Sequence, residues 1–194
     1  MSIECAYNEV TREVNLDFFC HDTRPELLKP FSIRDHSYAS NGHWLVRVAR
    51  RVDIVELDDE VLFQRVLKVI SEAGQPGNVH EVIVSLPPAT EIACTACGGN
   101  GKEHSDCPCC ECECSFCDGD GICSSDTDLS VGIGASSCSG VLIRHLLTLP
   151  KFRIAPRSKK QNSAPLWFSF DGGDGLLMPL HGKSGTHIIA EVRP

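Results

Sequence analysis

The sequence predicts an α+β fold, in which an antiparallel sheet packs with two helices and a cysteine-rich segment is inserted between strands. Three observations predict it. Short apolar segments are bounded by turn residues, as is typical of antiparallel strands. Two segments carry apolar residues at helical spacing. Twelve cysteines occur in 194 residues, and nine of them lie between Cys94 and Cys123.

The clearest helix is predicted over 58–73, where the apolar residues form one stripe at helical spacing. Asp58 or Asp59 can cap its first turn, and Gly74 suits its carboxyl end. A second, shorter helix is predicted over 140–149.

Strands are predicted on both sides of the long helix. Asn41-Gly42 indicates a hairpin turn between strands 31–34 and 43–48, because both residues tolerate positive φ. In the second of these strands, every other side chain from Trp44 onward faces the same side of the sheet. Further strands are predicted over 79–86, 129–133, 152–155, 166–170, 175–180 and 187–192.

The segment 91–125 interrupts this pattern. It is rich in glycine and cysteine and has almost no aliphatic residues, so it cannot bury a core of its own. We therefore predict a discontinuous α+β domain over 1–90 and 126–194, with a zinc-binding insertion over 91–125.

Composition narrows the class of protein. The formal net charge of −8 argues against a surface that binds nucleic acid everywhere, although a local basic patch remains compatible with it. The sequence contains no run of 18 apolar residues, so no membrane span is predicted. The amino terminus lacks the basic-then-apolar order of a secretory signal. We expect a cytoplasmic protein that does not contact membranes.

Two Cys-x-x-Cys pairs carry the strongest functional signal. Cys94 and Cys97 form the first pair, Cys114 and Cys117 form the last, and both match Cys-x-x-Cys-x-Gly-x-Gly. Two intervening residues let both thiolates of a pair reach one ion at about 2.3 Å. Sixteen residues separate the pairs, which suits two zinc knuckles. The sequence therefore predicts one zinc ion held by these four cysteines.

Further candidate ligands lie between and after the two pairs. Two overlapping Cys-x-x-Cys patterns occur there, so a second zinc ion is left open, and spacing does not select its ligands. The candidates for the second site are Cys107, Cys109, Cys110 and Cys112, with His104 and Cys123 as additional ligands.

Other roles for these cysteines fit less well. An iron–sulfur cluster also uses cysteine ligands, but the glycine-flanked knuckles favour zinc. A disulfide scaffold would spread its cysteines through a small secreted chain. A thioredoxin-like redox motif would open a helix within a βαβ unit, and none is predicted here.

The two outer knuckles carry a family resemblance. Residues 94–101 and 114–121 resemble the first and last repeats of the cysteine-rich zinc domain of DnaJ-type co-chaperones. In that family the outer repeats share one zinc ion and the inner repeats share a second. The inner segment 107–112 lacks the Gly-x-Gly tails, and no His-Pro-Asp tripeptide occurs. The resemblance covers about 30 residues and implies, as an alternative function, a chaperone module that binds unfolded polypeptide.

The flanking sequence carries a second resemblance. Residues 38–45 are similar to the strand–turn–strand segment of bacterial sliding clamps, and 141–149, 165–170 and 176–180 resemble the closing part of a clamp domain. Such mixed small proteins resemble phage or prophage products. Clamps normally close six domains into a ring around DNA, so this chain would form a homo-oligomer or act as a single binding module.

Basic residues after the insertion would contact DNA in a clamp-like arrangement, with a simple solvated surface as the alternative. These candidates are Arg144, Lys151, Arg153, Arg157, Lys159 and Lys160.

The sequence predicts no enzyme. No phosphate loop, Gly-x-Ser-x-Gly elbow or His-Glu-x-x-His helix occurs. A zinc ion held by four cysteines has no open coordination position for a substrate. We therefore expect a non-catalytic, phage-encoded adaptor or inhibitor that docks on DNA or on a bacterial replication or defence protein.

Overall fold

A computed structural model describes most of the chain, and the fold below refers to these residues. Neither of the two α-helices within them has the length and apolar character that a membrane span needs. The described residues are 7–8, 13–20, 24–75, 77–102, 112–114, 117, 119–157, 163–180 and 186–193.

Both predicted helices form, with shorter bounds than expected. Helix α1 spans Glu60–Ala73, and its N-cap is Asp59, whose carboxylate accepts hydrogen bonds from the backbone N–H groups of Val61 and Leu62. Helix α2 spans Gly140–Leu146. The predicted end of α2 at residue 149 is too late, because the last residues continue as turns rather than as helix.

The main sheet contains eight strands, and each neighbouring pair is antiparallel. The predicted antiparallel sheet with two helices is therefore present. Numbered along the chain, its strands are β3 (Phe31–Ile33), β4 (His36–Ser40), β5 (Trp44–Ala49), β6 (His80–Ile83), β11 (Arg153–Ile154), β12 (Leu166–Phe170), β13 (Gly173–Leu177) and β15 (Glu191–Arg193), in the spatial order β15-β6-β11-β12-β13-β5-β4-β3.

Three smaller sheets complete the strands. The largest has the order β10-β9-β14, in which β14 runs parallel to β9. The other two are the pairs β1–β2 and β7–β8. Their strands are β1 (Tyr7–Asn8), β2 (Glu13–Val14), β7 (Glu91–Ala93), β8 (Ile122–Ser124), β9 (Leu129–Ile133), β10 (Ser136–Ser139) and β14 (Thr186–Ile189).

The predicted hairpin over 31–48 contains one strand more than expected. A turn forms at Asn41-Gly42, but only Gly42 has a positive φ, +85°, whereas the prediction allowed it at both residues. It joins β4 to β5, however, whereas the predicted first strand is β3, which pairs with β4. The apolar pattern alone does not reveal the extra strand, because its residues are mostly small or polar. Backbone pairing with β3 and β5 holds it in the sheet, and a hydrogen bond of 2.8 Å joins the buried hydroxyls of Ser32 and Ser37.

The predicted last strand over 187–192 is two strands in different sheets. Strand β14 belongs to the three-stranded sheet and β15 to the main sheet. The change occurs at Ala190, which is buried and donates its N–H to the carbonyl of Gly132 at 2.9 Å. This single residue therefore joins the edges of the two sheets.

The main sheet has a hydrophobic core on each face. On one face, Trp44 and Val46 belong to a core that includes Val131 of the smaller sheet and Ile143 of α2. On the other face, Leu45 belongs to a second core that includes the apolar residues of α1. The main sheet is thus the middle layer, with α1 on one side and the smaller sheet and α2 on the other.

Replacing the N-cap should weaken α1. We expect Asp59→Ala to lower the free energy of unfolding by about 1 kcal/mol, because two N–H groups of the first helical turn lose their acceptor. Urea denaturation followed by circular dichroism measures the change. Asp58→Ala is the matched control, since it removes an equal charge from the neighbouring exposed position. Equal losses in both variants would contradict the cap.

Candidate metal centre

The cysteine pairs lie on two loops that a short hairpin brings together. The first pair follows β7 directly, and the last pair lies shortly before β8. Strands β7 and β8 pair with each other, with Ile92 opposite Cys123. This stem lies at the two ends of the predicted insertion and fixes the distance between the loops. The division of the chain into domains stays a prediction.

Four of the cysteines form one compact cluster. The Sγ atoms of Cys94, Cys97, Cys114 and Cys117 all lie within 4.8 Å of one another. The distance between the sulfurs is 3.9 Å for Cys94 and Cys114, and 3.8 Å for Cys97 and Cys117. No disulfide joins them. A tetrahedral ion with metal–sulfur bonds of about 2.3 Å holds its sulfurs about 3.8 Å apart.

The described residues of the two cysteine loops, 94–101 and 114–121, make equivalent backbone hydrogen bonds. Within the first, the N–H of Gly99 donates to the carbonyl of Cys94, and within the second, the N–H of Gly119 donates to the carbonyl of Cys114, both at 3.1 Å. Each loop also donates a backbone hydrogen bond to the other. Cys94 donates its N–H to the carbonyl of Gly121, and Cys114 donates to that of Gly101, both at 2.8 Å. The loops therefore support each other as a pair with approximate two-fold symmetry.

Backbone amides point at the sulfurs of the cluster. Gly101 donates its N–H to the Sγ of Cys97 at 3.3 Å, and Gly121 donates to the Sγ of Cys117 at 3.2 Å. Such hydrogen bonds stabilise a thiolate over a thiol, because the N–H dipole faces the negative charge. The arrangement thus favours the form of cysteine that binds metals.

Only glycine fits where the two loops touch. Gly101 has a φ of +74° and Gly121 a φ of +72°, which is the left-handed region. A Cβ added at Gly101 would lie 2.1 Å from the carbonyl oxygen of Gly119, and one at Gly121 would lie 2.4 Å from that of Gly99. The Gly-x-Gly tails of the sequence therefore permit the close approach of the loops.

The close approach of the thiols separates their pKa values. Burial raises the pKa of Cys94, but the amides of Ala96 and Cys97 and the neighbouring thiols outweigh it and lower this pKa to about 6. Burial and the neighbouring thiols raise the pKa of Cys117 to about 12, against the opposing amide of Gly121. One thiolate disfavours the next in the same space. A divalent cation reverses this effect, because its charge deprotonates each thiol that coordinates it.

The donor set fits one metal ion. All four side chains are buried, with exposed fractions between 0% and 7%. Four thiolates in a tetrahedral arrangement are the ligands of a structural zinc ion, and tetrahedral sulfur sites are otherwise those of iron. These four cysteines are therefore positioned to bind a single ion, and zinc is consistent with them.

The candidates for a second metal site are not brought together among the described residues. Cys112 is exposed and lies outside the cluster. Cys123 is buried beside Cys94, where burial, followed by the charge and hydrogen bonding of Cys94, raises its pKa to about 11. The remaining candidates, His104, Cys107, Cys109 and Cys110, lie outside the described residues, so a second zinc ion stays a prediction.

Two of the basic candidates serve internal contacts. Arg144 donates a hydrogen bond of 2.9 Å to the carboxylate of Asp126, which is buried. It also donates a hydrogen bond to the carbonyl of Pro87. Arg157 donates to the carbonyl of Pro165 at 2.8 Å and to that of Ala73 at the end of α1. No pattern in the sequence distinguished these arginines from surface cations, because their contacts depend on how the chain folds and not on a regular spacing.

The other basic candidates lie on the surface or outside the described residues. Lys151 is exposed and pairs with Asp171 at 2.8 Å. Arg153 is exposed on β11. Lys159 and Lys160 lie outside the described residues. The structure therefore does not bring the six candidates together into one described basic surface.

Comparison with known proteins gives no relative. No protein-family model, curated protein or solved structure matches this chain. The resemblances to DnaJ-type zinc domains and to sliding clamps accordingly remain hypotheses from the sequence.

Metal binding should depend on the contact between the loops. We expect Gly101→Ala to abolish tight metal binding, because its Cβ would strike the carbonyl of Gly119. Gly98→Ala is the matched control. Gly98 also has a positive φ, +62°, but an added Cβ there meets nothing within 4 Å. Metal content after gel filtration measures the result, and equal retention by both variants would contradict the geometry.

Removing one ligand or the metal should destabilise the fold. We expect the purified chain to carry at least one zinc ion, and Cys97→Ser or a chelator to lower the melting temperature by about 10 °C or more, because structural zinc contributes several kcal/mol to folding. Cys20→Ser is the control, since Cys20 lies outside the cluster. Calorimetry with metal analysis measures both. A metal-free wild type with an unchanged Cys97→Ser melt would contradict the site.

Proposed function

We propose that this chain is a non-catalytic adaptor or inhibitor, whose zinc-stabilised loops present a surface to a macromolecular partner. The observation that carries the proposal is the closed cluster of four buried thiols on the β7–β8 stem. We infer that the chain is phage-encoded and acts in the bacterial cytoplasm on a replication or defence protein. This finer part rests on the sequence resemblances alone.

The closed coordination supports a structural role for the metal. Hydrolytic zinc sites keep one position for water or substrate, whereas four protein thiolates fill a tetrahedron. The four cysteines are all buried, so a substrate would have no direct access to the ion. The metal is better explained as a replacement for a hydrophobic core.

The packing around the cluster supports the same conclusion. The buried cluster of the loops consists of five cysteines, with Ile92 packed partly against it. Thiols alone bury too little apolar area to stabilise such loops, so a bound ion would supply the missing free energy. The ion would then serve to hold the shape of the loop surface.

The described surface of the cysteine-rich segment favours a protein partner over DNA. Ile122 on the stem is 50% exposed, and it lines a shallow groove with Glu91 and Asp120. An exposed apolar residue between carboxylates suits an apolar and basic protein surface better than phosphates. Arg144 and Arg157, two candidates for DNA contact, are engaged within the fold.

A pull-down tests the proposal. We expect immobilised metal-loaded protein to retain one bacterial protein, and Ile122→Glu to weaken its binding at least about tenfold, because an added carboxylate would face the partner's apolar contact. Val52→Glu is the matched control, since Val52 is fully exposed and lies outside the cysteine-rich segment. Binding is remeasured with the purified partner by calorimetry.

The possible outcomes separate the functions. Equal loss of binding in both variants, or in neither, would contradict docking through the stem. Nuclease-sensitive retention of nucleic acid would favour DNA as the partner. If the protein instead prevents aggregation of unrelated unfolded clients, the DnaJ-like chaperone function would replace the adaptor function.

A further inference from the structure

The β7–β8 stem presents an outer strand edge along β8. Within the stem, Ser125 donates its backbone N–H to the carbonyl of Thr90 at 2.8 Å, which fixes the hydrogen-bonded positions of the ladder. In an antiparallel pair, these positions alternate with positions whose N–H and C=O groups point away from the partner strand. Ile122 and Ser124 lie an odd number of residues before Ser125, so their backbone groups point outward from the stem.

Three of these outward backbone groups make no hydrogen bond within the part of the chain that the structure describes. They are the N–H groups of Ile122 and Ser124 and the carbonyl of Ile122. The carbonyl of Ser124 accepts a hydrogen bond of 2.7 Å from the hydroxyl of Thr127. Ile122 and Ser124 are both exposed. An exposed strand edge with available N–H and C=O groups is a template on which a further strand can pair.

The side chains of this edge border the groove of the stem. Alternation along β8 directs Ile122 and Ser124 to the opposite face from Cys123, which packs in the cysteine cluster. The groove has a volume of about 490 Å³, and Ile122 and Ser124 line it together with Glu91 and Asp120. A strand paired with β8 would therefore direct every other side chain over this groove.

The charges beside this edge favour a basic strand. Asp120 precedes β8, and Glu91 lies opposite Ser124, the last residue of β8. Both carboxylates are exposed, and neither forms an ion pair with another described residue. They are therefore available to cations of a partner, on either side of the exposed apolar side chain of Ile122. The complementary strand carries an apolar residue between two basic ones, at alternate positions.

We propose that the outer edge of β8 binds an extended basic segment of a partner protein as an additional strand. The backbone of the segment hydrogen-bonds to Ile122 and Ser124, its apolar side chain packs on Ile122, and its two cations meet Asp120 and Glu91. This inference rests on the docking function proposed above, and it specifies the conformation and the chemistry of the segment that docks.

Three capped peptides of equal length test the chemistry of the segment. The first is Thr-Lys-Thr-Val-Thr-Lys-Thr, the second has glutamate in place of both lysines, and the third is the first with its valine N-methylated. Each is titrated into the metal-loaded, full-length protein, and binding is followed by the NMR shifts of the backbone amides. We expect the first to bind at least about tenfold more tightly than the second and about threefold more tightly than the third, because these lose the charge match and one backbone hydrogen bond. Equal binding of any two peptides, or no binding of the first at about 1 mM, would overturn the proposal.

Two variants of one residue test the location. Ser124→Pro removes the outward N–H, and the φ of Ser124, −72°, already suits proline. Ser124→Ala is the matched control, because both variants lose the hydroxyl that accepts from the N–H of Asp126, whereas alanine keeps the backbone N–H. We expect Ser124→Pro to weaken the basic peptide at least about fivefold and Ser124→Ala to change it by less than about twofold. Circular dichroism and metal content verify that both variants fold, and equal binding by the two would overturn the site.

The partner retained in the pull-down separates this inference from the docking function. Loss of its binding in Ile122→Glu and in Ser124→Pro, but not in Ser124→Ala, would support strand addition. Loss in Ile122→Glu alone would preserve the docking function and overturn strand addition. Binding of the basic peptide at β8 by a chain that retains no protein would contradict the docking function and support recognition of the edge. A solution mass that differs between the wild type and Ser124→Pro would indicate pairing between copies, which would overturn the inference.

Discussion

The convergence of four thiols from two loops is the constraint on which the rest of the cysteine-rich segment depends. The loops have no aliphatic core, and their mutual backbone hydrogen bonds, from Cys94 to Gly121 and from Cys114 to Gly101, form only when the pairs lie together. Without a cation, that convergence places several ionisable sulfurs in one buried volume and separates their pKa values. A divalent ion turns the same crowding into coordination, so folding of the loops and metal binding become one process.

A second interaction connects these loops to the rest of the fold. Arg144 on α2 reaches Pro87, which precedes the segment, and Asp126, which follows it. Asp126 is buried, and a buried carboxylate without a partner would be strongly destabilising. One arginine thus contacts the chain on both sides of the cysteine-rich segment, and its charge is used for the contact with Asp126.

Local patterns predicted the parts of the structure that local forces decide. The alternation from Trp44 separates the two cores of the main sheet, and α1 follows its capping residues, because each depends on neighbours in sequence. The same holds for the four clustered cysteines, whose spacing encodes their geometry. Strand β4 pairs with its sequence neighbours β3 and β5, but its mostly small or polar residues show no apolar alternation. The change of sheet at Ala190 depends instead on Gly132, which lies far earlier in the chain, so no periodicity could reveal it.

Electrostatics distinguishes the cysteine loops from the surface of α1. Four thiolates around one divalent ion carry two net negative charges, which add to the carboxylates of Glu91 and Asp120 beside the exposed Ile122. On α1 the exposed cations Arg65 and Lys68 each lie 3.8 Å from a carboxylate, that of Glu26 and that of Glu72, so their charges are balanced locally. A basic surface would therefore be attracted more strongly to the cysteine loops than to this part of α1.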